Sequence, residues 1–167
     1  MRRIFCFILS ALMLFICTSC GDGETKTYVN DRFVYTMEKT GYGEMTLFKY
    51  DIMEKEASVA CPDPLCEHDE NCLVTGITGY TVTDEYIYLY RGQLMKNIDV
   101  YVYDLSKNKI EFLISGSQVS SVYEAKGYAY FTLGEWVYNE EGELESQAFN
   151  QYRYCPKTKE LKLLNEE

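Results

Sequence analysis

The amino-acid sequence predicts an all-β fold made of about three four-stranded antiparallel units. Three observations support this prediction. Apolar and aromatic residues alternate with other residues over short runs, which is the period of a β-strand. Short polar turns separate these runs. The same pair of pieces then recurs along the chain, which indicates that one structural unit is used three times.

The clearest hairpin lies at residues 99–113. Valines alternate with tyrosines along its first strand, so neither face is polar, and we expect this strand to be covered on both sides. A polar turn at residues 106–109 follows, in which Asn108 suits a positive φ. Related hairpins lie at residues 46–59 and 150–164. Each hairpin predicts two strands of a unit.

A second recurring piece precedes each hairpin, at residues 30–35, 83–88 and 125–130. The first two copies of this piece are 53 positions apart, from Phe33 to Tyr86. The hairpins that follow them are also 53 positions apart, from Asp51 to Asp104. In the third unit a polar insertion at residues 139–146 separates the two pieces. Each unit is therefore predicted to have four strands, as two hairpins in series.

A period of roughly 40–50 residues with four strands per unit is typical of β-propeller blades. The pattern of aromatic-x-Tyr, loop, aromatic-x-Tyr-Asp and polar turn resembles the TolB-like and related β-propeller repeats of bacterial exported proteins. The resemblance covers about residues 28–164 and implies a fold, not a ligand. An ordinary antiparallel sheet or sandwich with Tyr-rich strands is the alternative. We place the units at about residues 28–60, 78–114 and 119–164.

Three blades do not close a ring that usually takes 4–8. The sequence therefore leaves two interpretations open. The chain is either the front part of a longer, truncated propeller or an open, curved assembly of three units. In the second case the exposed sheet edges need covering, and self-association with another copy would provide this.

The chain begins with features of an exported protein. A short basic start, containing Arg2 and Arg3, precedes an apolar run at residues 4–17. This run is too short for a comfortable membrane span and predicts an N-terminal signal helix. A plain signal peptide and an uncleaved anchor are the alternatives to the lipoprotein signal described next.

Small residues lead from the apolar run to Cys20. This arrangement resembles a lipoprotein cleavage box, although Cys17 stands where leucine is usual. The resemblance implies that residues 1–19 are a lipoprotein signal peptide and that Cys20 becomes acylated. Residues 20–27 are predicted to form a flexible tether. We therefore expect a protein held at the cell membrane by its lipid anchor, on the extracytoplasmic side.

A cysteine-rich loop at residues 61–72 lies between the first and second units. Its spacing is C-x4-C-x-H-x3-C, and the single histidine of the chain falls within it. Thiolate and imidazole are the usual ligands of tetrahedral zinc, and four protein ligands close the shell as in structural sites. The candidate metal ligands are Cys61, Cys66, His68 and Cys72. The loop also resembles a Cys-Asp-Pro-x-Cys-x-His segment of uncharacterised exported, propeller-like lipoproteins of Gram-positive bacteria.

Disulfides are the alternative to metal in this loop. Cysteines outside the cytoplasm tend to pair, and Cys155 would be available as a fourth partner for the three cysteines of the loop. His68 would then be an ordinary surface residue. Against pairing with Cys155, a disulfide needs Cα atoms about 4.4–6.8 Å apart, and Cys155 belongs to another unit. Both alternatives stay open.

The charge, the tyrosine positions and the single histidine reduce the number of plausible function classes. The chain has 16 basic and 26 acidic residues and no Lys/Arg cluster, so a nucleic-acid partner is not expected. A protein or glycan ligand is compatible with this charge. The 16 tyrosines mostly occupy alternating strand positions, which favours packing between units over ligand stacking. The single histidine, His68, is already a candidate metal ligand, so histidine-based acid–base catalysis is not expected.

These observations favour a lipid-anchored, extracytoplasmic binding or interaction module rather than an enzyme. Its Cys/His loop would be held together by structural zinc or by disulfides. Two alternatives remain: a metal-dependent enzyme or metal-handling protein that uses the Cys/His cluster, and a truncated fragment of a larger propeller.

Overall fold

A computed structural model of the chain describes residues 28–29, 32–40, 44–93, 97–120 and 122–164. The predicted signal peptide at residues 1–19, the tether at residues 20–27 and the acylated Cys20 lie outside these residues. Within the described ranges, no helix has the length and apolar character needed to cross a membrane.

The described residues form thirteen strands in three antiparallel sheets that follow one another along the chain. Blade 1 contains β1 (Tyr28–Val29), β2 (Phe33–Lys39), β3 (Met45–Asp51) and β4 (Glu56–Val59). Blade 2 contains β5 (Ile77–Val82), β6 (Tyr86–Gly92), β7 (Ile98–Asp104) and β8 (Lys109–Gly116). Blade 3 contains β9 (Gln118–Val119), β10 (Tyr123–Ala125), β11 (Tyr128–Tyr138), β12 (Leu144–Cys155) and β13 (Glu160–Leu163). The predicted all-β fold of three blade-like units is confirmed.

The register of the strands reproduces the sequence repeat. Phe33 pairs with Asp51 between β2 and β3, and Tyr86 pairs with Asp104 between β6 and β7. The 53-position offset therefore superposes the same ladder position in blades 1 and 2. In blade 3 the ladder between β11 and β12 starts one pair further in, at Ala129 and Tyr154.

The turn that ends each repeated hairpin has the same geometry in all three blades. In each turn, the residue four positions after the end of the first strand has a positive φ. These residues are Lys55 (60°), Asn108 (51°) and Lys159 (59°). Asp51 and Asp104 each accept hydrogen bonds at Oδ1 from two backbone N–H groups of their turn. Cys155 takes this position in blade 3. Hydrogen bonds from the Thr158 side chain and from the turn backbone lower the pKa of its thiol.

Blade 3 differs from the expected four strands. The polar insertion predicted at residues 139–146 is a continuation of the hairpin, because β11 and β12 run for 11 and 12 residues and only residues 139–143 form the turn. Asn139 closes this turn by accepting two backbone N–H groups at its Oδ1. The longer hairpin extends past β10 and exposes an edge, and β9 pairs there, with Val119 opposite Leu133. A fifth strand results.

The blades pack face to face around two cores, and β6 contributes to both. Its alternating side chains place Ile87 and Leu89, each 0% exposed, in the core shared with blade 1. The core shared with blade 3 contains Tyr86, Tyr88 and Tyr90. The neighbouring strand β7 is likewise covered on both faces, as its apolar pattern predicts.

Buried tyrosine hydroxyls bond across the blade boundaries. Tyr80 of blade 2 donates to the Tyr35 carbonyl oxygen of blade 1 at 3.0 Å. Tyr88 of blade 2 donates to Glu124 Oε1 of blade 3 at 3.2 Å, and burial together with this carboxylate raises the pKa of the phenol. These rings therefore fill the cores while their polar ends are satisfied, which is how buried tyrosine is tolerated.

Candidate metal centre

The cysteine-rich loop joins β4 to β5, and both of its ends are tied to β3. The Leu47 carbonyl oxygen accepts the Ala60 N–H at 2.9 Å, and the Leu47 N–H donates to the Val74 carbonyl oxygen at 2.9 Å. Thr46 and Thr75 form an isolated bridge, and their buried hydroxyls lie 3.4 Å apart. Blade 1 thus fixes the points where the loop leaves and re-enters the sheets.

Blade 2 holds the middle of the loop through its hairpin turn. Asn108 Nδ2 donates to the Pro62 carbonyl oxygen at 3.1 Å, and Asn108 Oδ1 accepts the Tyr103 hydroxyl at 2.6 Å. Burial raises the pKa of Tyr103 to about 12, so its hydroxyl keeps its proton at neutral pH and acts as the donor. The positive-φ turn residue therefore connects the first core to the loop.

The four predicted ligands converge. The ligand atoms of Cys61, Cys66, His68 and Cys72 all lie within 4.8 Å of one another. Cys72 Sγ lies 3.7 Å from Cys61 Sγ and 3.7 Å from His68 Nδ1. Tetrahedral zinc with bonds of about 2.3 Å to sulfur and about 2.0 Å to nitrogen separates its ligand atoms by about 3.5–3.8 Å. The two separations from Cys72 therefore match this ion, and the remaining ligand atoms lie close enough to complete its shell with small adjustments.

The cysteines of the loop are free thiols, as is Cys155. The Cys61–Cys72 sulfur separation of 3.7 Å is far longer than an S–S bond of about 2.05 Å. Cys155 is the last residue of β12, directly before the turn of blade 3, and is not part of the cluster. The disulfide alternative considered for the sequence is not formed in this structure.

The loop backbone favours negative sulfur. The His68 N–H donates to Cys66 Sγ at 3.4 Å. The backbone N–H groups of Asp63 and Val74, each two residues after a cysteine, act to lower the pKa of Cys61 and Cys72, against the larger effect of burial. Such bonds favour a thiolate over a thiol. The loop backbone is therefore arranged to hold negative sulfurs, which are the form that binds metal.

The cluster needs a cation to reach that form. Desolvation by burial raises the pKa of Cys61 to about 12 and also raises that of Cys72, which is only 4% exposed. Without metal these thiols keep their protons at neutral pH. A bound cation would replace the protons and supply the charge that burial otherwise disfavours.

Two aspartates position the cysteines, and sequence reasoning missed them. Asp63 and Asp69 each accept at Oδ1 the N–H two residues later. Their carbonyl oxygens accept the N–H of the cysteine three residues later, Cys66 at 3.3 Å and Cys72 at 3.1 Å. His68, between the two turns, has a φ of 57°. The signal was an Asp-x-x-Cys pair that occurs twice, six positions apart, and Asp is a residue that initiates such turns.

Asp69→Ala is expected to lower the affinity for zinc by about 10- to 100-fold, as for other groups that orient a ligand. The alanine removes the side-chain acceptor that shapes the turn before Cys72. Competition with a chromogenic chelator measures the affinity. Asp69→Asn is the matched control because its Oδ1 keeps the acceptor, and it should retain most of the affinity. If Asp69→Asn lowers the zinc affinity as much as Asp69→Ala does, the effect comes from the charge of Asp69 and not from the turn that its side chain stabilises.

Two clefts lie near the loop. One, of about 400 Å³, adjoins His68 and is lined by the acidic residues Glu44, Glu67, Asp69 and Glu70. The other, of about 760 Å³, lies between the hairpin turns and blades 1 and 2, with Phe33, Lys49, Asp84 and Asn108 in its wall. The second cleft combines an aromatic ring with donors and acceptors, the mixture found in ligand sites.

No protein-family model and no curated protein matches this sequence. Among solved structures, TolB from Acinetobacter baumannii is similar, with a TM-score of 0.49 and 13% sequence identity. The match covers 80% of this chain and 29% of the TolB chain. This chain thus spans less than a third of the length of TolB. The blade architecture is established by the three sheets and their register, independently of this similarity.

Proposed function

We propose that the protein is an exported, lipid-anchored interaction module in which zinc staples the loop between blades 1 and 2. The observation that carries the proposal is the set of four convergent ligand atoms, which all lie within 4.8 Å of one another. The metal would be held by Cys61, Cys66, His68 and Cys72. Four protein ligands close a tetrahedral shell and leave no position for a substrate, which supports a structural role.

The position of the loop explains what the zinc would stabilise. The loop is bonded to β3 on one side and to the turn of blade 2 on the other, so a fixed loop locks the two blades together. It also forms one flank of the first core, since Cys61, Cys66 and Cys72 all pack in it. The two blades would then present the 760 Å³ cleft as a rigid surface for a protein or glycan ligand.

Anchoring through Cys20 completes this proposal. An acyl chain contributes about 0.8 kcal/mol for each buried CH₂ group, and more than one chain gives stable attachment. The acidic composition of the chain would disfavour adsorption to anionic lipid, so the anchor itself would hold the protein at the membrane. Cys20→Ser should release the protein from the membrane fraction.

Metal and thiol analysis of the purified protein tests the zinc staple. We expect one zinc per chain, and three thiols that become reactive to an alkylating reagent only after chelation. The melting temperature should fall on chelation and return when zinc is restored. Protein without metal whose loop cysteines are paired as disulfides would contradict the proposal.

A metal-handling role is the second candidate, and the acidic cleft beside His68 favours it. The carboxylates that line the cleft beside His68 would attract a divalent cation. The two roles differ in the rate of metal exchange. Zinc that passes to a competing chelator within seconds would favour metal handling, whereas exchange that requires unfolding would favour the staple.

A further inference from the structure

Blades 1 and 2 each have one face that packs on the blade following it, and this face, with its equivalent in blade 3, is here called the next-blade face. Register places equivalent aromatic residues on it, in the pairs Phe33/Tyr35, Tyr86/Tyr88 and Tyr128/Tyr130. In blades 1 and 2 a following blade covers this face, and Tyr35 and Tyr88 are 2% and 0% exposed. The packing of these faces makes up the two internal interfaces of the described chain.

The next-blade face of blade 3 has no following strand of the described chain on it. Tyr123 is 62% exposed and stacks on Tyr130 with ring centroids 5.2 Å apart. Arg153 lies over the ring of Tyr128 at 4.7 Å, and Phe149 is 52% exposed. Tyr128 and Tyr130 are thus only partly buried, whereas their equivalents Tyr35 and Tyr88 are fully buried.

Blade 1 has the complementary open face. Ile87 and Leu89 of blade 2, both 0% exposed, pack on the preceding blade. Register makes Val34 and Thr36 their equivalents in blade 1, where they are only partly buried. Tyr50, paired with Val34, is 38% exposed on the same side. Blades 1 and 3 of the described chain thus present the two halves of the interface that blades 1, 2 and 3 already use internally.

We propose that a second copy of this chain docks head to tail, with its blade 1 on the next-blade face of blade 3. The interface would continue the blade-to-blade packing with equivalent residues. Such a contact is heterologous, and it forms a ring when the rotation closes. Two copies of the three described blades give six blades, within the range of 4–8 that closes a propeller.

An ion pair between blades 2 and 3 allows a sharp test. Lys159 Nζ of blade 3 lies 2.6 Å from Glu111 Oε2 of blade 2. Glu111 pairs with Val102, and at the equivalent position in blade 3 Lys162 pairs with Arg153. The equivalent of Lys159 in blade 1 is Lys55, which also has a positive φ. At the proposed junction Lys162 and Lys55 would therefore face each other where the internal interface has an ion pair, which predicts weak association.

Sedimentation velocity of the full chain in mild detergent, over a range of concentrations, tests the proposal. Lys162→Glu should tighten dimer formation by about tenfold, because it replaces a repulsion with an attraction at each junction. The double variant Lys162→Glu/Lys55→Glu should lose this gain. High salt should reduce the difference between the variants.

A second pair of variants tests the aromatic face itself. Tyr130→Glu should abolish association, whereas Tyr138→Glu, on the same strand but at the tip of the β11–β12 hairpin, should not. Circular dichroism establishes that both variants fold. The proposal is overturned if Lys162→Glu stays monomeric at every concentration, or if association persists in a folded Tyr130→Glu variant. If the chain dimerises with the same affinity in the wild type and in both lysine variants, the dimer uses another surface. That result would also overturn the proposal.

Discussion

Replacing Cys72 by serine is expected to abolish stoichiometric zinc binding and to destabilise the protein by about 4 kcal/mol. This magnitude follows from linkage, for free zinc about 1,000-fold above its Kd. Cys72 is the most buried of the four candidate ligands and lies 3.7 Å from both Cys61 Sγ and His68 Nδ1. Its loss would leave three ligands and an incomplete shell. Denaturant unfolding with and without zinc measures the effect.

The comparison that decides this prediction is between the variant and the chelated wild-type protein. If the metal is the staple, chelation should lower the stability of the wild type to about that of Cys72→Ser, and should not change the variant. Cys155→Ser is the matched control, because Cys155 is also a free cysteine but lies outside the cluster. It should keep its zinc. A wild-type protein that chelators do not destabilise would contradict a structural role for the metal.

Leu89→Ala is expected to destabilise the protein by about 2–5 kcal/mol, the range for a leucine truncated in a packed core. Leu89 is 0% exposed and lies in the core between blades 1 and 2, where the cysteine-rich loop also packs. The neighbouring side chains of a two-sided strand are held by both blades, so they collapse poorly into the cavity. Urea unfolding at constant m-value measures the loss.

Phe112→Ala provides the control for this substitution. Phe112 belongs to the same blade and is 58% exposed, so its truncation removes little buried area. Its edge-on contact with the Tyr101 ring, at 5.8 Å, is worth about 0.5–1.5 kcal/mol. A loss at Leu89 no greater than that at Phe112 would show that blades 1 and 2 do not share a close-packed core.

Most of the fold could be predicted from the sequence because its signals are local. Alternating side chains produce strands, and a polar turn with a residue suited to positive φ produces a hairpin. Asn108 was predicted in this way. The valine and tyrosine faces of β7 even predicted burial on both sides. The insertion at residues 139–146 was misjudged because polar residues on an exposed hairpin carry no apolar pattern, although the backbone continues its ladder.

The candidate site was predicted less completely. The ligand types and their spacing identified Cys61, Cys66, His68 and Cys72, but not whether they would meet. The turns at Asp63 and Asp69 were overlooked because an Asp-x-x-Cys segment, even when it occurs twice, is a weak signal on its own. The bond from Asn108 to the loop links residues 46 positions apart, and no local pattern predicts such a contact.

The sequence by itself determined the strand period, the turns and the three-fold repeat, since these depend on sterics and hydrogen bonds between residues close in the chain. Only the tertiary structure decided which faces of the blades meet, and that the loop cysteines converge as free thiols. Both depend on packing between distant segments. The sequence of a strand with two apolar faces predicts that both faces are buried. Which blade covers each face depends on how the sheets pack together.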